Sequence, residues 1–152
     1  MAVMEMKVDK FRNKATITLT DGRRLEVNFF LSHHSAHHSG SETIFDVLSS
    51  VLSYIPLEDI GSNEVIFVAK TQILTVELLD REVVSSLYLR QLQIQVNMLN
   101  GEVIDGEILI DMPQTKPRLS DFLNLPHKFL YIHREQGDMV INKGYIVSLK
   151  EK

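Results

Sequence analysis

Apolar and polar residues alternate along residues 91–110 with the period of a half-buried β-strand. The stretch is QLQIQVNMLNGEVIDGEILI, and its Asn100-Gly101 pair favours a two-residue turn because both residues tolerate positive φ. We therefore predict a β-hairpin whose turn holds Gly101 at positive φ.

Residues 15–31 repeat this design, with alternating apolar residues on both sides of Asp21-Gly22. When Gly22 is placed on Gly101, apolar positions coincide along both strands, as Ile17 does with Val96. The chain is therefore predicted to hold two altered copies of one hairpin, and Gly22 is also expected to adopt positive φ.

A polar loop and a helical pattern follow the first hairpin. Apolar residues recur at the spacing of one helix face along residues 44–55. Ser39 and Glu42 are placed as a capping box at the start of this pattern. We expect an amphipathic helix here.

The second hairpin also precedes a loop and a helical pattern. Pro117 stands at the first helical position, and a short apolar face along residues 119–123 ends before Asn124. Asp46 of the first copy aligns with Asp121 of the second. We expect each of these aspartates to orient or cap its own helix.

Each copy is predicted to close with two short strands. NEVIFVAKTQILTVEL aligns with GDMVINKGYIVSLKE when Lys70 is placed on Lys143, and a candidate strand and turn precede each of these stretches. The repeated unit is therefore β-β-α-β-β, which predicts a mainly β (α+β) fold.

The repeat divides the chain into two predicted domains. Residues 1–80 form the first, with an N-terminal lead-in and a histidine-rich loop, and residues 81–152 form the second. Residues 79–90 between the copies contain no proline or glycine, so they are not a flexible linker. Because a unit of this size buries a marginal core alone, we expect the two copies to pack together.

Composition narrows the functional classes. The chain has 152 residues, 44% of them hydrophobic, which is enough apolar material for a core. Sixteen basic and twenty acidic residues give a net charge of -4, so no global positive field attracts nucleic acid, and we expect no DNA partner. The absence of cysteine excludes thiolate metal sites and cysteine nucleophiles, and it fits a reducing compartment.

No segment predicts export or membrane insertion. The start of the chain lacks the apolar core of a signal peptide. No apolar run approaches the roughly 20 residues that cross a bilayer. We expect a soluble, cytoplasmic protein.

The second copy resembles the Sm-like fold. IQVNMLNGEVIDGEILID is similar to the first motif of that family, an apolar strand, an Asn-Gly turn and a strand with a central glycine, here Gly106. VINKGYIVSL is similar to the second motif, in which a basic residue and a glycine, here Lys143 and Gly144, precede an apolar strand. The layout is also similar to that of uncharacterised prokaryotic proteins with one or two such units.

The resemblance implies small, strongly bent Sm-like or SH3-like barrels, in a family that commonly binds single-stranded RNA and assembles as rings. It places Lys143 and Gly144 at an RNA-facing loop. Tyr145 and the aligned Lys70 would add stacking and charge there, and Asp111 would stand near the acidic position that ends the second strand.

Four histidines, His33, His34, His37 and His38, lie in the loop of the first copy. If the loop became helical, they would pair at i,i+4, a spacing that offers two imidazoles to Zn²⁺, Ni²⁺ or Cu²⁺. The alternative is a solvated loop, since no carboxylate is adjacent in the sequence and the aligned loop of the second copy has no histidine. A pH-responsive loop is a third alternative.

The remaining polar residues predict no catalytic constellation. His127 and His133 flank the strand KFLYI near Arg134 and Glu135, where they would form either a small charged surface or a solvated strand end. No nucleophile elbow, phosphate-binding loop, dinucleotide motif or zinc-protease motif occurs. We expect no enzyme activity and no cofactor.

Two functional hypotheses follow from these patterns. Duplication without catalytic chemistry favours a non-catalytic interaction module, which binds a protein partner or a second copy of itself through its sheet edges. The alternative is an Sm-like binder of single-stranded RNA, whose affinity would fall steeply with salt. A metal-responsive protein acting through the histidine loop is a more distant alternative.

Overall fold

The computed structural model describes residues 10–35, 38, 40–82, 89–111 and 119–152. The described residues are mainly β, as predicted, with ten strands and two five-residue α-helices. The chain divides into two compact units, Met1–Val76 and Glu77–Lys152. No helix in the described ranges is long and apolar enough to cross a membrane.

The first unit holds five strands and one short helix. In chain order these are β1 (Lys10–Leu19), β2 (Arg24–Ser32), α1 (Ile44–Leu48), β3 (Tyr54–Asp59), β4 (Glu64–Ala69), a 3-10 turn (Lys70–Gln72) and β5 (Ile73–Leu78). The strands lie in the order β4-β3-β2-β1-β5. The last two residues of β5, Glu77 and Leu78, belong to the second unit.

The second unit repeats this element order. It contains β6 (Leu89–Met98), β7 (Val103–Asp111), α2 (Leu119–Leu123), β8 (Phe129–Ile132), β9 (Met139–Asn142), a 3-10 turn (Lys143–Tyr145) and β10 (Ile146–Glu151). The strands form a sheet in the order β10-β6-β7 and an antiparallel pair, β8 with β9. Helix α2 ends before Asn124, as predicted, and Pro117 lies outside the described residues.

Both predicted hairpins are confirmed, and their turns make the same hydrogen bonds. Leu19 and Met98 each donate their N–H to the carbonyl four residues later, at 2.9 Å in both cases. Gly22 and Gly101 have φ of 93° and 88°, as expected for turns that require positive φ.

A second pair of equivalent bonds joins each hairpin turn to the 3-10 turn near the end of the same unit. The Thr20 amide donates to the Gln72 carbonyl at 2.9 Å, and the Leu99 amide donates to the Tyr145 carbonyl at 2.8 Å. The two units are therefore closed by the same backbone contacts, although their side chains differ.

Helix α1 is shorter than the sequence predicts. It spans only Ile44–Leu48, and Val51 is fully exposed. Ser50 competes with the helical backbone, because its hydroxyl donates to the Val47 carbonyl at 2.7 Å and accepts from the Leu52 amide at 3.3 Å. These local bonds end the helix after little more than one turn.

The capping box of α1 uses different residues from those predicted. The Thr43 hydroxyl accepts from the Asp46 amide at 3.0 Å, and the Asp46 carboxylate accepts from the Thr43 amide at 2.9 Å. Glu42 instead accepts from the Ser32 amide at 2.9 Å. Ser39 lies outside the described residues. The predicted capping role of Asp46 is confirmed.

Three strands follow each helix in the structure, whereas the predicted unit β-β-α-β-β has two strands after its helix. In the sequence, the apolar residues before and after Lys70 look like one continuous pattern, but the 3-10 turn there separates β4 from β5. The turn at Lys143 separates β9 from β10 in the same way. The candidate strands before these stretches are also formed, as β3 and β8. Each unit thus contributes five strands.

The core of the second unit depends on a close approach between β7 and β8. Glu107 and His133 exchange backbone hydrogen bonds of 2.9 and 2.8 Å at this crossing. A Cβ atom on the neighbouring Gly106 would lie 2.4 Å from Cγ2 of Ile132 and 2.9 Å from the His133 carbonyl oxygen. Glycine is therefore required at this position, because the gap between the two packed strands is too narrow for a side chain.

Replacing Gly106 with alanine should destabilise the protein by about 2 kcal/mol, because the added methyl group overpacks a closed core. The matched control is Gly61→Ala, since a Cβ at that position would lie 3.6 Å from its nearest neighbour, an ordinary contact distance. Urea unfolding measures both changes. Equal stabilities for the two variants would contradict the close approach at Gly106.

Candidate functional site

A buried carboxylate, Asp138, organises the polar part of the second unit. Its side chain is 1% exposed and accepts hydrogen bonds from the Tyr131 hydroxyl at 2.6 Å, Nδ1 of His133 at 2.9 Å and the Arg134 amide at 3.1 Å. Arg81 adds an ion pair at 3.3 Å. We call Asp138, Tyr131, His133 and Arg81 the Asp138 network.

The sequence around β8 and β9 explains how these side chains meet. Tyr131 and His133 alternate with the buried Ile132, so they share the opposite face of β8. Gly137 has φ of 128°, which allows the chain to turn back immediately before β9. Asp138 thereby returns to the face that carries the other two side chains.

The Asp138 carboxylate is held in its ionised form. Burial by itself raises the pKa of Asp138, but the hydrogen bonds from Tyr131, Arg134 and His133 outweigh burial and keep the pKa below its usual value. Burial and the Asp138 carboxylate both raise the pKa of the Tyr131 hydroxyl, which therefore stays protonated and donates. Because an ionised carboxylate only accepts, we assign the Nδ1 proton of His133 to this bond.

The Asp138 network also holds the chain that follows β5. The Leu78 amide donates to the Asp138 carbonyl at 3.0 Å, and the Glu82 amide donates to the Tyr131 hydroxyl at 3.0 Å. Together with the Arg81 ion pair, these bonds fix residues 78–82 against the β8–β9 hairpin.

The first unit forms the same elements without such a network. The β3–β4 hairpin of the first unit corresponds to the β8–β9 hairpin of the second. The pair Leu57 and Ile66 then matches the pair Ile132 and Met139. By this register, the residues that replace Tyr131, His133 and Asp138 in the first unit are Pro56, Glu58 and Val65. The element order therefore does not require the buried carboxylate, which makes the network a candidate for a more specific role.

A polar cleft of 360 Å³ lies beside the network. Its lining includes Gln93, Asp105, Glu107, His133, Arg134 and Glu135. Across β6 and β7, the Gln93 side chain donates to Glu107, while Asp105 accepts from Lys152 at 3.1 Å. His133 and Arg134 both line the cleft and donate to the buried carboxylate, His133 through Nδ1 and Arg134 through its backbone amide.

The predicted charged surface around KFLYI is divided between two places. His133, Arg134 and Glu135 line the cleft, whereas the ring of His127 lies 5.6 Å from the ring of Phe122. Burial, and then the charge of Lys143, lower the pKa of His127. His127 is thus part of the packing around α2.

The lysines predicted to contact RNA occupy equivalent positions and make equivalent bonds. Nζ of Lys143 donates to the Leu125 carbonyl at 3.0 Å, and Nζ of Lys70 donates to the Ser50 carbonyl. Each carbonyl belongs to the second residue after a helix. Burial lowers the pKa of both lysines. Each lysine therefore ties a 3-10 turn to a helix end of its own unit.

Gly144 and Tyr145 accompany Lys143 in the 3-10 turn before β10. The Gly144 amide donates to the Asn142 side chain at 2.9 Å, and Tyr145 is partly buried against the core of the second unit. Asp111 is the last residue of β7. The turn is thus held by its own contacts as well as by the lysine.

The described histidines of the first loop contact different residues. The His33 ring lies 5.0 Å from the Phe11 ring, His34 is exposed, and Nε2 of His38 lies 2.8 Å from the Asp46 carboxylate. The expectation that no carboxylate serves this loop is wrong, because α1 brings Asp46 to it. His37 lies outside the described residues, and within the described part of the chain no group of three or more side chains could hold a metal ion.

Exposed apolar side chains lie on the outer face of the β3–β4 hairpin, which also carries Glu58. We call Tyr54, Val65 and Phe67, which are all exposed, the β4 face. Phe67 is 70% exposed, whereas its equivalent on β9, Val140, is fully buried. The equivalents of Tyr54 and Val65, namely Phe129 and Asp138, are buried too.

The strand β10 shows a matching contrast with β5. When Lys70 is placed on Lys143, Leu74 of β5 coincides with Val147 of β10. Leu74 is 5% exposed and Val147 is 64% exposed. The second unit thus leaves open on β10 a surface that the equivalent strand β5 buries.

Sequence reasoning names His133 but misses Asp138. The signal was the repeat itself, because the alignment of Lys70 with Lys143 places Asp138 on Val65, an acidic residue where the other copy has an apolar one. A buried carboxylate at the start of an apolar strand needs partners, which points to the polar residues of the preceding strand.

No family model, curated protein or solved structure matches the chain. The chemistry of these surfaces is therefore inferred from their geometry.

Replacing Asp138 with asparagine should remove an acid-sensitive part of the stability. A carboxyl group whose folded pKa lies below its unfolded value, ~3.9, stabilises the fold fully above that value and loses this effect as the pH falls through the folded pKa. The variant should be less stable by about 3 kcal/mol at neutral pH, because a buried network loses its charge. Its stability should also fall less than that of the wild type on acidification.

Urea unfolding at several pH values between neutral and strongly acidic measures both effects. Asp80→Asn, at an exposed position, is the matched control and should follow the wild-type curve. Parallel pH curves for the wild type and Asp138→Asn would show that the carboxylate is not held in its ionised form.

Proposed function

We propose that this chain is a non-catalytic interaction module whose copies associate head to tail, the β4 face of one copy receiving β10 of the next. In this proposal it consists of two Sm-like units in tandem. The repeated element order and the equivalent hydrogen bonds of the turns support the duplication. The Lys70 and Lys143 bonds to the helix ends support it further.

The contrast in burial between equivalent residues carries the proposal. Phe67 and Val147 are mostly exposed, while their equivalents Val140 and Leu74 are buried. Because removing apolar surface from water is favourable, two open surfaces whose equivalents are both covered favour mutual contact. They lie on the strands β4 and β10, one in each unit.

The backbone of these two strands supports the same contact. Among the described strands, β4 pairs only with β3, and β10 pairs only with β6. Each therefore keeps one row of backbone N–H and C=O groups that can pair with another strand. Strand addition satisfies both rows at once and brings their apolar side chains together.

The repeat indicates why a second copy fits better than an unrelated strand. In the second unit, Leu78 at the end of β5 donates to Asp138 at the start of β9. β10 is the equivalent of β5, and β4 is the equivalent of β9. The bond between β5 and β9 therefore corresponds to one between a β10 strand and β4. The β10 of another copy of the chain supplies that strand.

Such an interface joins a different surface of each copy. It generates a closed ring if the rotation between neighbouring copies brings the last copy back to the first, and an open filament if it does not. This agrees with the ring assembly of the family that the second unit resembles. A different protein that offers an exposed strand remains the alternative occupant of the β4 face.

The other hypotheses stay predictions. Single-stranded RNA binding through Lys143, Gly144, Tyr145 and Lys70 draws no support from the bonds that these lysines make to carbonyl groups. A metal-responsive role of the histidine loop and a cytoplasmic location also stay predictions.

Blocking either surface should prevent self-association. Phe67→Lys places a charge at the centre of the β4 face, and Val147→Lys does so on β10, so each variant should sediment as a monomer where the wild type forms larger species. Each variant keeps one intact surface, β10 in Phe67→Lys and the β4 face in Val147→Lys. An equimolar mixture should therefore form a dimer and nothing larger, because pairing of the intact surfaces leaves only the substituted ones. Sedimentation velocity over a range of concentrations measures this.

Val103→Lys is the matched control, since Val103 is also an exposed apolar residue but lies on β7. It should assemble like the wild type. A wild-type protein that stays monomeric at every concentration would sink the head-to-tail proposal. Loss of assembly in all three variants would show that the effect is one of charge alone.

A further inference from the structure

We infer that the cleft beside His133 is a binding site for a small organic cation that carries an ammonium or guanidinium group. The site lies entirely within the second unit and does not depend on self-association. Its chemistry follows from a fixed histidine, an excess of carboxylates and the size of the cleft.

His133 is held in one orientation by contacts on two sides. Its backbone exchanges hydrogen bonds with Glu107, and its Nδ1 donates to the buried Asp138 carboxylate. The ring is thereby fixed beside the cleft that it lines, so a ligand can contact it without a further loss of side-chain freedom.

The charges around the cleft favour a cation. Glu107 and Glu135 both line it, together with Asp105, whose charge is partly balanced by Lys152. The one guanidinium in the lining, Arg134, is turned toward its own turn, because its Nε donates to the Gly137 carbonyl at 2.7 Å. The carboxylates are acceptors, so a ligand rich in N–H donors complements them.

The form of the ligand is limited by volume and by the donor set. A cleft of 360 Å³ is at the lower end of the ~300–1,000 Å³ typical of small-molecule sites, so the ligand is small. The carboxylates of the lining suit the N–H donors of an organic cation. In the first unit the positions equivalent to Tyr131, His133 and Asp138 hold Pro56, Glu58 and Val65, so these positions do not repeat the network.

Agmatine, which carries a guanidinium at one end and an ammonium at the other, is a suitable probe. Titration followed by amide chemical shifts should move the signals of Gly106, Glu107 and His133 in the wild type. Glu107→Gln and His133→Gln should each weaken binding by about tenfold, because the first removes a negative charge and the second removes the imidazole ring that lines the cleft. N-butylurea, a neutral analogue of the guanidinium end, should cause no comparable shifts.

Glu102→Gln is the matched control, since it removes the same charge from the same hairpin outside the cleft, and it should bind agmatine like the wild type. Thermal unfolding of each variant checks that it is folded before its affinity is compared. The inference is overturned if agmatine causes no shifts around Gly106, if N-butylurea causes the same shifts, or if Glu107→Gln and Glu102→Gln weaken binding equally.

Discussion

Among the described strands, β4 and β10 each have one edge without a partner strand, and these two edges constrain the outer surfaces of the protein. A strand at the edge of a sheet presents backbone groups that must meet water or another strand. Proteins usually protect such edges with charges or bulges, and β10 has both, in the register shift against β6 between Ile146 and Ser148 and in the charged Lys150 and Glu151. Apolar side chains also lie beside each edge, Phe67 on β4 and Val147 on β10.

The two units show how one backbone frame can carry different chemistry. The hydrogen bonds of the hairpin turns, and the lysines that tie the 3-10 turns to the helix ends, recur in both. The outer face of the β3–β4 hairpin carries exposed apolar side chains, whereas the equivalent face in the second unit carries Tyr131, His133 and Asp138. The same backbone contacts thus accommodate different side chains on this face.

Much of the frame could be predicted from the sequence, because alternation and turn residues are local signals. Both hairpins, the positive φ of Gly22 and Gly101 and the end of α2 follow from neighbouring residues. The length of α1 could not be predicted so easily, since Ser50 adds side-chain bonds that compete with an otherwise helical pattern. The Asp138 network was missed because its partners come from β8, the turn before β9 and the chain after β5, and period-two patterns do not report such contacts.

Head-to-tail association of this kind would also set a counting rule. Because every chain carries one β4 face and one β10 strand, a closed ring of such chains has as many contacts as chains, and an open filament has one contact fewer. Each chain also brings its own His133 cleft, so a ligand bound there would count the chains of the assembly.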